Sequence, residues 1–465
     1  MKESKGLNIS TKSFLTAIIV IFVLMVAAYV LTLLIPGGEY ARVPDANGNL
    51  IIDTSAGYSP VEGGLPFWKW ALSPLLCLGA NGGGTLIAVI AFLLVIGGVF
   101  NGLDKCGLMR YMLNKTANRF SGVRYRLLAL VTLLFMAMGA MIGSFEECVP
   151  LVPICVALAV NLGWDPLVGM GMSLLAVGCG FASGVCNPFT VGVAQQLAGL
   201  PMFSGVWMRL VSFVLIYGLL YWFLYSYAKK IQKPLEAVTA ATDFVPDTKL
   251  DKGLVCFVTI LGIGIAAVLC SGFITALQDY TMIIVAVMFL VGGIVATLVS
   301  GMSGKELGKA FLSGFVQMLP AVLMILMASS IRYTLEEAKV LDTLLHGAVG
   351  LAQKLPKWAV VEFIYLLVLG MNFFIASGSA KAFMLIPLIV PMAQVFGISP
   401  QLCILAFAFG DGFSNVFYPT NPALLIGLGL ADVSYGDWVK WSGKFQLLNL
   451  LLTAGLLLVG LAVGY

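Results

Sequence analysis

The sequence predicts an all-α polytopic membrane protein built from inverted repeats, each with a re-entrant hairpin and a broken transmembrane helix. Hydrophobic residues make up 60% of the 465 residues and charged residues only 10%, whereas soluble domains carry about 25% charged residues. Apolar runs of about 20 residues, each long enough to span a bilayer, recur along the whole chain. Helices satisfy their own backbone hydrogen bonds in lipid, so these runs predict helical spans.

Two stretches of the chain match each other without a gap at a constant offset of 234 residues (421 − 187). The matched pairs are Asn187-Pro188 with Asn421-Pro422, Pro153 with Pro387, Gly163 with Gly397, Pro166 with Pro400, Gly178 with Gly412, Trp207 with Trp441, and Glu147 with Lys381. Such a self-match of Pro, Gly and Asn within apolar sequence is typical of a duplicated transporter half with interrupted helices. The chain therefore divides into an N-terminal half at 1–228, a polar linker at 229–252 and a C-terminal half at 253–465.

The N-terminal half is expected to start in the cytoplasm, because three lysines precede the first apolar run at 14–34 and positive charge stays inside. The polar, turn-rich segment at 37–66 is then extra-cytoplasmic, and a Trp-containing stretch at 67–78 is placed at the membrane interface. A second span at 85–103 returns the chain to the cytoplasm. There, the many Lys and Arg residues at 104–120 predict a helix that lies on the inner membrane surface.

A long apolar run at 127–162 follows, and it is interrupted by Gly143-Ser144-Phe145-Glu146-Glu147. We expect a re-entrant hairpin that enters from the cytoplasm. Two full spans are the alternative, and they give the same sidedness to the rest of the chain. A broken helix at 167–200 and a span at 206–227 then bring the lysines of the linker back to the inside, as the positive-inside rule requires.

The C-terminal half repeats this plan from the other side of the membrane. Its predicted elements are spans at 254–276, 282–299 and 311–331, an outer surface helix at 334–355, a hairpin at 360–396 with its tip at 376–381, a broken helix at 402–430 and a last span at 445–463. Five crossings separate the two hairpins, and an odd number means that the two copies face opposite ways. The duplication is therefore predicted to be inverted, the arrangement that permits alternating access to a central site.

Four segments combine helix-breaking Gly or Pro with polar residues at membrane depth, at 143–147, 182–190, 376–381 and 410–422. Unwound backbone is tolerated there only when it is buried in protein or lines a polar cavity. Free N–H groups at half-helix N-termini suit a carboxylate, while exposed carbonyls with Ser, Thr and Asn oxygens suit Na⁺. The predicted substrate-binding residues are Ser144, Glu146, Glu147, Asn187, Thr190, Ser377, Ser379, Lys381, Asn415, Thr420 and Asn421. The predicted cation-binding residues are Ser183, Asn187, Asp411 and Asn421.

Four charged residues are placed deep in the membrane, namely Glu146, Glu147, Lys381 and Asp411. Each charge at mid-bilayer costs about 2.5–3.5 kcal/mol, so a charge without a role is rare. We expect Lys381 to hold a substrate carboxylate, and Glu146 or Glu147 to meet a substrate amine or to carry a proton. Asp411, flanked by glycines, would serve a cation or cap the broken helix. The alternative is that these charges form salt bridges that hold the two halves together.

Composition argues against other functional classes. The nine cysteines are scattered without a C-x-x-C spacing, and His346 is the single histidine, so a metal or redox centre is not expected. No His-based, metal or serine nucleophile constellation suggests an enzyme, and the net charge of +4 is too small to suggest a nucleic-acid partner. A channel is disfavoured because no filter-like repeat occurs. We expect no catalytic residues and no cofactor, with Na⁺ or H⁺ as the coupling ion.

Five segments carry a resemblance to a known family. They are Ile35-Pro36-Gly37-Gly38-Glu39-Tyr40, Gly143-Ser144-Phe145-Glu146-Glu147, Asn187-Pro188-Phe189-Thr190, Ser377-Gly378-Ser379 and Phe409-Gly410-Asp411-Gly412-Phe413-Ser414-Asn415. With them the chain resembles the YfcC family, within the larger group named for C4-dicarboxylate anaerobic carriers. The resemblance implies a bacterial inner-membrane secondary transporter of the ion-transporter superfamily, a homodimer with a scaffold domain and a moving transport domain. Related carriers place Ser-Asn-Thr motifs at hairpin tips and helix breaks. Asn187 with Thr190, and Thr420 with Asn421, fill similar places here, but no intact Ser-Asn-Thr occurs.

Together these observations predict a secondary active transporter, a symporter or antiporter, for a small carboxylate-bearing metabolite. Two acids at Glu146-Glu147 facing a single Lys381 favour an amino acid, and a basic one of the arginine or ornithine type would suit the acids. A C4-dicarboxylate or short-chain fatty acid is the alternative. The expected partners are the substrate, the lipid bilayer and a second copy of the chain.

Overall fold

The computed structural model describes residues 11–44, 50–53, 57–80, 83–112, 115, 121–143, 145–201, 203–233, 246–271, 281–352 and 354–465. In these ranges the chain is mostly helical, and seven helices are long and apolar enough to cross a membrane. The all-α polytopic class is therefore confirmed. Ser144, the end of the expected surface helix at 104–120 and part of the linker at 229–252 lie outside the described residues.

In the N-terminal half, two helices correspond to the range predicted for a hairpin at 127–162, and interrupted helices correspond to the range at 167–200. Its helices are α1 (Thr11–Leu34), α2 (Phe67–Ala71), α3 (Ser73–Leu76), α4 (Gly83–Lys105), α5 (Arg124–Ile142), α6 (Val152–Asn161), α7 (Pro166–Met170), α8 (Ala176–Ser183), α9 (Val193–Leu197) and α10 (Val206–Ile231). The hairpin is α5 and α6, joined by a turn and a 3₁₀ helix at Glu146–Leu151. The broken helix is α7 to α9, with π-helical turns at Gly171–Leu175 and Pro188–Gly192.

The C-terminal half contains the second copy of this arrangement. Its helices are α11 (Thr248–Ser271), α12 (Thr281–Val299), α13 (Gly304–Gln317), α14 (Leu319–Glu337), α15 (Leu341–Ala352), α16 (Lys357–Asn372), α17 (Gly378–Val395), α18 (Pro400–Gly412), α19 (Pro422–Leu430) and α20 (Tyr435–Val463). The hairpin is α16 and α17, and its turn lies at 373–377, slightly before the predicted tip. Ser377 accepts a hydrogen bond from the N–H of Ala380, so Lys381 already belongs to the first turn of α17.

Two predicted elements differ from the structure in their bounds. The expected span at 311–331 is divided between α13 and α14, which meet at Met318. Pro320 has no N–H to donate, so the helix is interrupted there. The surface helix expected at 334–355 starts later, because residues 334–337 still belong to α14 and Lys339 takes a left-handed conformation (φ 58°) before α15 begins.

The segment at 37–66 forms two small antiparallel sheets, which the sequence did not predict. β1 (Gly38–Tyr40) pairs with β4 (Tyr58–Pro60), and β2 (Arg42–Pro44) pairs with β3 (Leu50–Ile52). Asp342 of α15 accepts a hydrogen bond from the N–H of Tyr40 at 3.0 Å and forms an ion pair with Arg42 at 2.9 Å. His346, one turn further along α15, stacks on Tyr58 with ring centroids 4.1 Å apart. These contacts hold the segment against α15.

The two broken helices form part of the core and cross each other closely. Every residue of α8 is buried, and so are residues 402–412 of α18. A Cβ on Gly178 would lie 2.5 Å from Cγ1 of Val416, and a Cβ on Gly412 would overlap the backbone of Ala182. The 234-residue offset relates Gly178 to Gly412 (412 − 178) and Ala182 to Val416 (416 − 182), so each contact maps onto the other and the pair of contacts is reciprocal. The close approach places the interruptions of the two helices next to each other.

Candidate substrate site

The second hairpin and the second broken helix bring two opposite charges together in the protein interior. Lys381 lies in the first turn of α17, and Asp411 lies one residue before the end of α18. Their side chains form an ion pair, and both are 0% exposed. An unpaired buried charge is strongly destabilising, so each of these residues stabilises the other. Lys381 and Asp411 thus form a salt bridge, but both belong to the C-terminal half, so this pair does not join the two halves as the salt-bridge alternative expected.

Asn372, the last residue of α16, connects this ion pair to residues 413–421, which we call the second break. Its Oδ1 accepts a hydrogen bond from Nζ of Lys381. Its Nδ2 lies 3.1 Å from the carbonyl oxygen of Asp411, 2.6 Å from Oγ of Ser414 and 3.0 Å from Oδ1 of Asn415. One buried amide therefore fixes the hairpin relative to the break. Asn372 was not among the predicted site residues, although an amide at the end of an apolar segment is a recognisable signal.

In the second Asn-Pro pair, both polar side-chain atoms of Asn421 form hydrogen bonds within the protein. Oδ1 of Asn421 accepts hydrogen bonds from the N–H groups of Ala423 at 2.9 Å and Leu424 at 3.2 Å, and so caps α19. Its Nδ2 donates to Oδ1 of Asn415 at 3.0 Å. The buried hydroxyl of Thr420, by contrast, has no hydrogen-bond partner among the described residues. At the second break, Thr420 is therefore the predicted residue that keeps its polar group available to a ligand.

Residues 184–192, which we call the first break, keep polar atoms unpaired. Oδ1 of Asn187 accepts a hydrogen bond from the N–H of Phe189 at 3.0 Å, which fixes the orientation of the amide. Within the described chain, neither Nδ2 of Asn187 nor Oγ1 of Thr190 has a partner, although both residues are 0% exposed. The turn of the first hairpin packs here, since a Cβ on Gly143 would lie 2.8 Å from Cγ of Asn187. Buried polar groups are nearly always satisfied, so these atoms are candidate ligand contacts.

The first break reaches the ion pair through Gly378, the first residue of α17. A Cβ on Gly378 would lie 2.5 Å from Cγ2 of Thr190 and 2.6 Å from Oδ2 of Asp411. Thr190 and Asp411 therefore flank the same backbone position. Both halves of the chain thus contribute to one site around Thr190, Lys381 and Asp411, and no side chain larger than hydrogen fits between them at position 378.

The remaining predicted residues lie around this centre or outside the described residues. Ser377 is exposed at the hairpin turn, with its Oγ 3.4 Å from Oγ of Ser379. Glu146 is half-buried and lines a cleft between α4 and α19 whose other lining residues are apolar. The backbone of Glu147 lies in the 3₁₀ helix, but its side chain and the whole of Ser144 are outside the described residues. Ser183 donates a hydrogen bond back to the carbonyl of Gly180 at 2.8 Å.

Arg209 is a further buried charge that the sequence analysis did not place in the interior. Its side chain is 0% exposed, near the start of α10. Its Nε donates to the carbonyl of Val185 in the first break at 3.2 Å, and its Nη2 donates to the carbonyl of Phe203 at 3.1 Å. No carboxylate of the described ranges lies within ion-pair distance of this guanidinium. Arg209 therefore supports the unwound backbone of the first break through its carbonyls.

The family model of the C4-dicarboxylate anaerobic carriers (DcuC) matches residues 14–463. The chain belongs to this family. A relative of this DcuC-family carrier is the Escherichia coli (strain K12) protein named "Putative basic amino acid antiporter YfcC". It is 29% identical over 380 residues, which cover 77% of this chain and 74% of that protein. The family is named for carriers and this relative as an antiporter, and neither name is that of an enzyme.

Two solved transporter structures share a distant likeness with this DcuC-family carrier. The Alcanivorax borkumensis YdaH transporter is 19% identical, with a TM-score of 0.46 over 97% of this chain and 99% of that one. Neisseria gonorrhoeae MtrF is 16% identical, with a TM-score of 0.42 over 96% of this chain and 94% of that one.

Proposed function

We propose that this DcuC-family carrier is a secondary active transporter of a small carboxylate-bearing metabolite, and that its substrate is an α-amino acid. The observation that supports the proposal is the buried ion pair of Lys381 and Asp411, which lies beside Thr190 of the other half. This pair holds one charge of each sign and is neutral overall. The head group of an amino acid carries the same two charges.

A zwitterion can therefore replace each partner of the pair without changing the net charge of the site. Its carboxylate would bind the ammonium of Lys381, and its ammonium would bind the carboxylate of Asp411. A dicarboxylate would bring two negative charges to a lysine that Asp411 already neutralises, and uncompensated charge in the membrane interior is costly. The charge balance of the observed pair thus favours an amino acid more directly than the two acids Glu146 and Glu147 do.

Two observations support a basic amino acid in particular. The side chain of Glu146 lies in the mainly apolar cleft between α4 and α19. An alkyl chain that ends in a cation suits such a cleft, because its stem packs against apolar walls and its charge meets the carboxylate. The name of the relative YfcC agrees with this substrate class. A C4-dicarboxylate, for which the family is named, or a short-chain fatty acid is the competing substrate.

The mode of transport is part of the proposal. We propose that the two halves are inverted repeats that give alternating access to the site. The reciprocal contacts at Gly178 and Gly412 support a pseudo-two-fold relation. The packing of α9 on α17, together with the packing of the corresponding helix α19 on α6, supports the same pseudo-two-fold relation. The elevator movement, the homodimer, the bacterial inner membrane and the cytoplasmic N-terminus are implied by the family resemblance and by the distribution of Lys and Arg.

Counterflow in proteoliposomes tests the function. We expect saturable uptake of labelled arginine or another amino acid that requires unlabelled amino acid inside the vesicle. Vesicles with the Lys381→Ala variant should show no uptake, while the exposed Lys440→Ala control should behave like the unmodified protein. Uptake of succinate or butyrate without any amino acid would establish the competing substrate. Flux that does not saturate would contradict a carrier.

A further inference from the structure

Several of the oxygens predicted to bind a coupling cation are already engaged by the protein. Oδ1 of Asn187 accepts one backbone N–H, and Oδ1 of Asn421 accepts two. The hydroxyl of Ser183 donates back to its own helix. Oδ1 of Asp411 is paired with the ammonium of Lys381, while Oδ2 has no hydrogen-bond partner among the described residues. A hard cation needs several oxygens whose lone pairs face it, and at Asp411 the ammonium of Lys381 already occupies one of the two carboxylate oxygens.

Backbone carbonyls at the two breaks are engaged in the same way. At the first break, the carbonyl of Val185 accepts from Nε of Arg209 at 3.2 Å. At the second break, the carbonyl of Val416 accepts from Nε1 of Trp438 at 2.7 Å, and that of Phe417 accepts from the hydroxyl of Tyr435 at 3.0 Å. Exposed carbonyls at broken helices are the groups that bind Na⁺ in many transporters. Here fixed side-chain donors point their positive ends at those oxygens, which disfavours a cation.

The charge count leads to the same conclusion. Lys381 and Asp411 are fully buried and neutralise each other, and Arg209 adds a further buried positive charge at the first break. A Na⁺ ion beside Asp411 would compete with Nζ of Lys381 for the same carboxylate. The unpaired Nδ2 of Asn187 is a donor and also repels a cation. In this conformation the ammonium of Lys381 therefore occupies the position at Asp411 that Na⁺ would take.

We propose that the ammonium of Lys381 takes the place of a coupling cation at Asp411, so that transport by this protein is independent of Na⁺. The inference rests on the proposed transport function for its consequence, but the assignment of Lys381 as a tethered cation can be tested without any substrate. Removal of the lysine should leave the Asp411 carboxylate without its cation. A Na⁺-binding position should then appear where the wild-type protein has none.

Thermal unfolding of the purified full-length protein tests this assignment. The melting temperature is measured in NaCl and in choline chloride at equal ionic strength. We expect the same value in both salts for the wild type. For Lys381→Met we expect a saturable increase in NaCl of at least about 2 °C, because Na⁺ binds the folded state. The double variant Lys381→Met with Asp411→Asn is the matched control and should respond equally to both salts.

Exchange in proteoliposomes tests the consequence for transport. We expect initial rates in NaCl and choline chloride to agree within about twofold when the membrane carries no ion gradient. Saturable stimulation of the wild type by Na⁺, in either melting temperature or exchange, would overturn the inference. A folded Lys381→Met protein with no Na⁺ response would also overturn it. If Lys381→Met does not fold, the comparison of the wild-type protein in NaCl and choline chloride still tests the inference.

The two proposals fail in distinguishable ways. If no tested solute is transported, but Lys381→Met alone is stabilised by Na⁺, the proposed function is wrong and the tethered cation stands. If amino acids are exchanged and Na⁺ stimulates the wild type, the function stands and the tethered cation is wrong.

Discussion

The first and second breaks occupy matched positions in the two halves but use their polar groups differently. In both, an asparagine oxygen caps the helix that follows the Asn-Pro pair. In the second break, the amide nitrogen of Asn421 also donates to Asn415. In the first break, the amide nitrogen of Asn187 has no partner in the described part of the chain. The second break is therefore fixed by its own hydrogen bonds, while the first keeps donors available to a ligand.

The network of the second half has no polar counterpart in the first. Subtracting the 234-residue offset from Asn372, Asp411, Ser414 and Asn415 gives Met138, Val177, Gly180 and Phe181. Apolar packing replaces the hydrogen bonds there. Phe181 lies edge-on to Phe145 of the first hairpin, with ring centroids 6.4 Å apart. The comparison shows how one architecture can hold a rigid charged element and a ligand-accessible element in a single site.

Removal of the positive charge of Lys381 should have the largest effect on both stability and uptake. Lys381→Ala leaves the carboxylate of Asp411 buried without a partner, which should lower the free energy of unfolding by about 3–5 kcal/mol and abolish uptake. Combining it with Asp411→Asn should recover much of the stability but not the uptake. Chemical unfolding and vesicle uptake measure the two quantities. Normal uptake by folded Lys381→Ala would show that the pair lies outside the transport site.

Gly→Ala substitutions at the crossing of the two broken helices should lower the free energy of unfolding by unequal amounts. A methyl group at Gly412 meets the backbone of Ala182, whereas one at Gly178 meets the side chain of Val416. Gly412→Ala should therefore lower the free energy of unfolding by about 1–3 kcal/mol. Gly178→Ala should lower it by less, because a side chain adapts more easily than a backbone. Gly443→Ala in α20, where the methyl group meets open space, is the control. Equal losses at both glycines would contradict the described crossing.

The two asparagines provide the most direct test of the comparison. An Asn→Asp change keeps the capping oxygen, removes the amide nitrogen and adds a buried carboxyl group, whose cost both positions share. At Asn421 it should lower the free energy of unfolding by about 1 kcal/mol more than at Asn187, through the lost bond to Asn415, with little change in KM. At Asn187 it should raise the KM for uptake about tenfold or more, since a donor to the substrate carboxylate is lost. The opposite pattern would assign the ligand-accessible role to the second break.

Glu147→Gln should have the smallest effect on the total rate. We expect it to change selectivity among amines or the pH dependence of uptake, because it removes a charge opposite in sign to that of Lys381 at the matched position. The exposed Glu62→Gln serves as the control. If selectivity and pH profile both match the wild type, Glu147 has a structural role only.

Much of the architecture could be predicted from the pattern of apolar, Gly and Pro residues. The interruptions near Gly143 and at the Asn-Pro pairs follow from local rules, since Gly permits non-helical backbone and Pro removes a helical donor. The rule does not hold everywhere, because Pro387 and Pro391 lie inside α17 without ending it. The predicted span at 311–331 was divided by the same rule, which the sequence analysis had not applied to Pro320. The strands at 37–66 are stabilised by contacts with Asp342 and His346, far along the chain, and local pattern does not report such contacts.

The sequence by itself determined that this protein spans a membrane and that Lys381 and Asp411 are charges within apolar segments, and it predicted that the two halves are repeats. Tertiary structure alone decided that these two residues are partners, that Asn372 holds the lysine, and that Asn187 rather than Asn421 keeps a donor unpaired. The physical reason is distance along the chain. An ion pair or an amide bond depends on which segments approach each other, and here the approach is set by glycines at the helix crossing and at the start of α17.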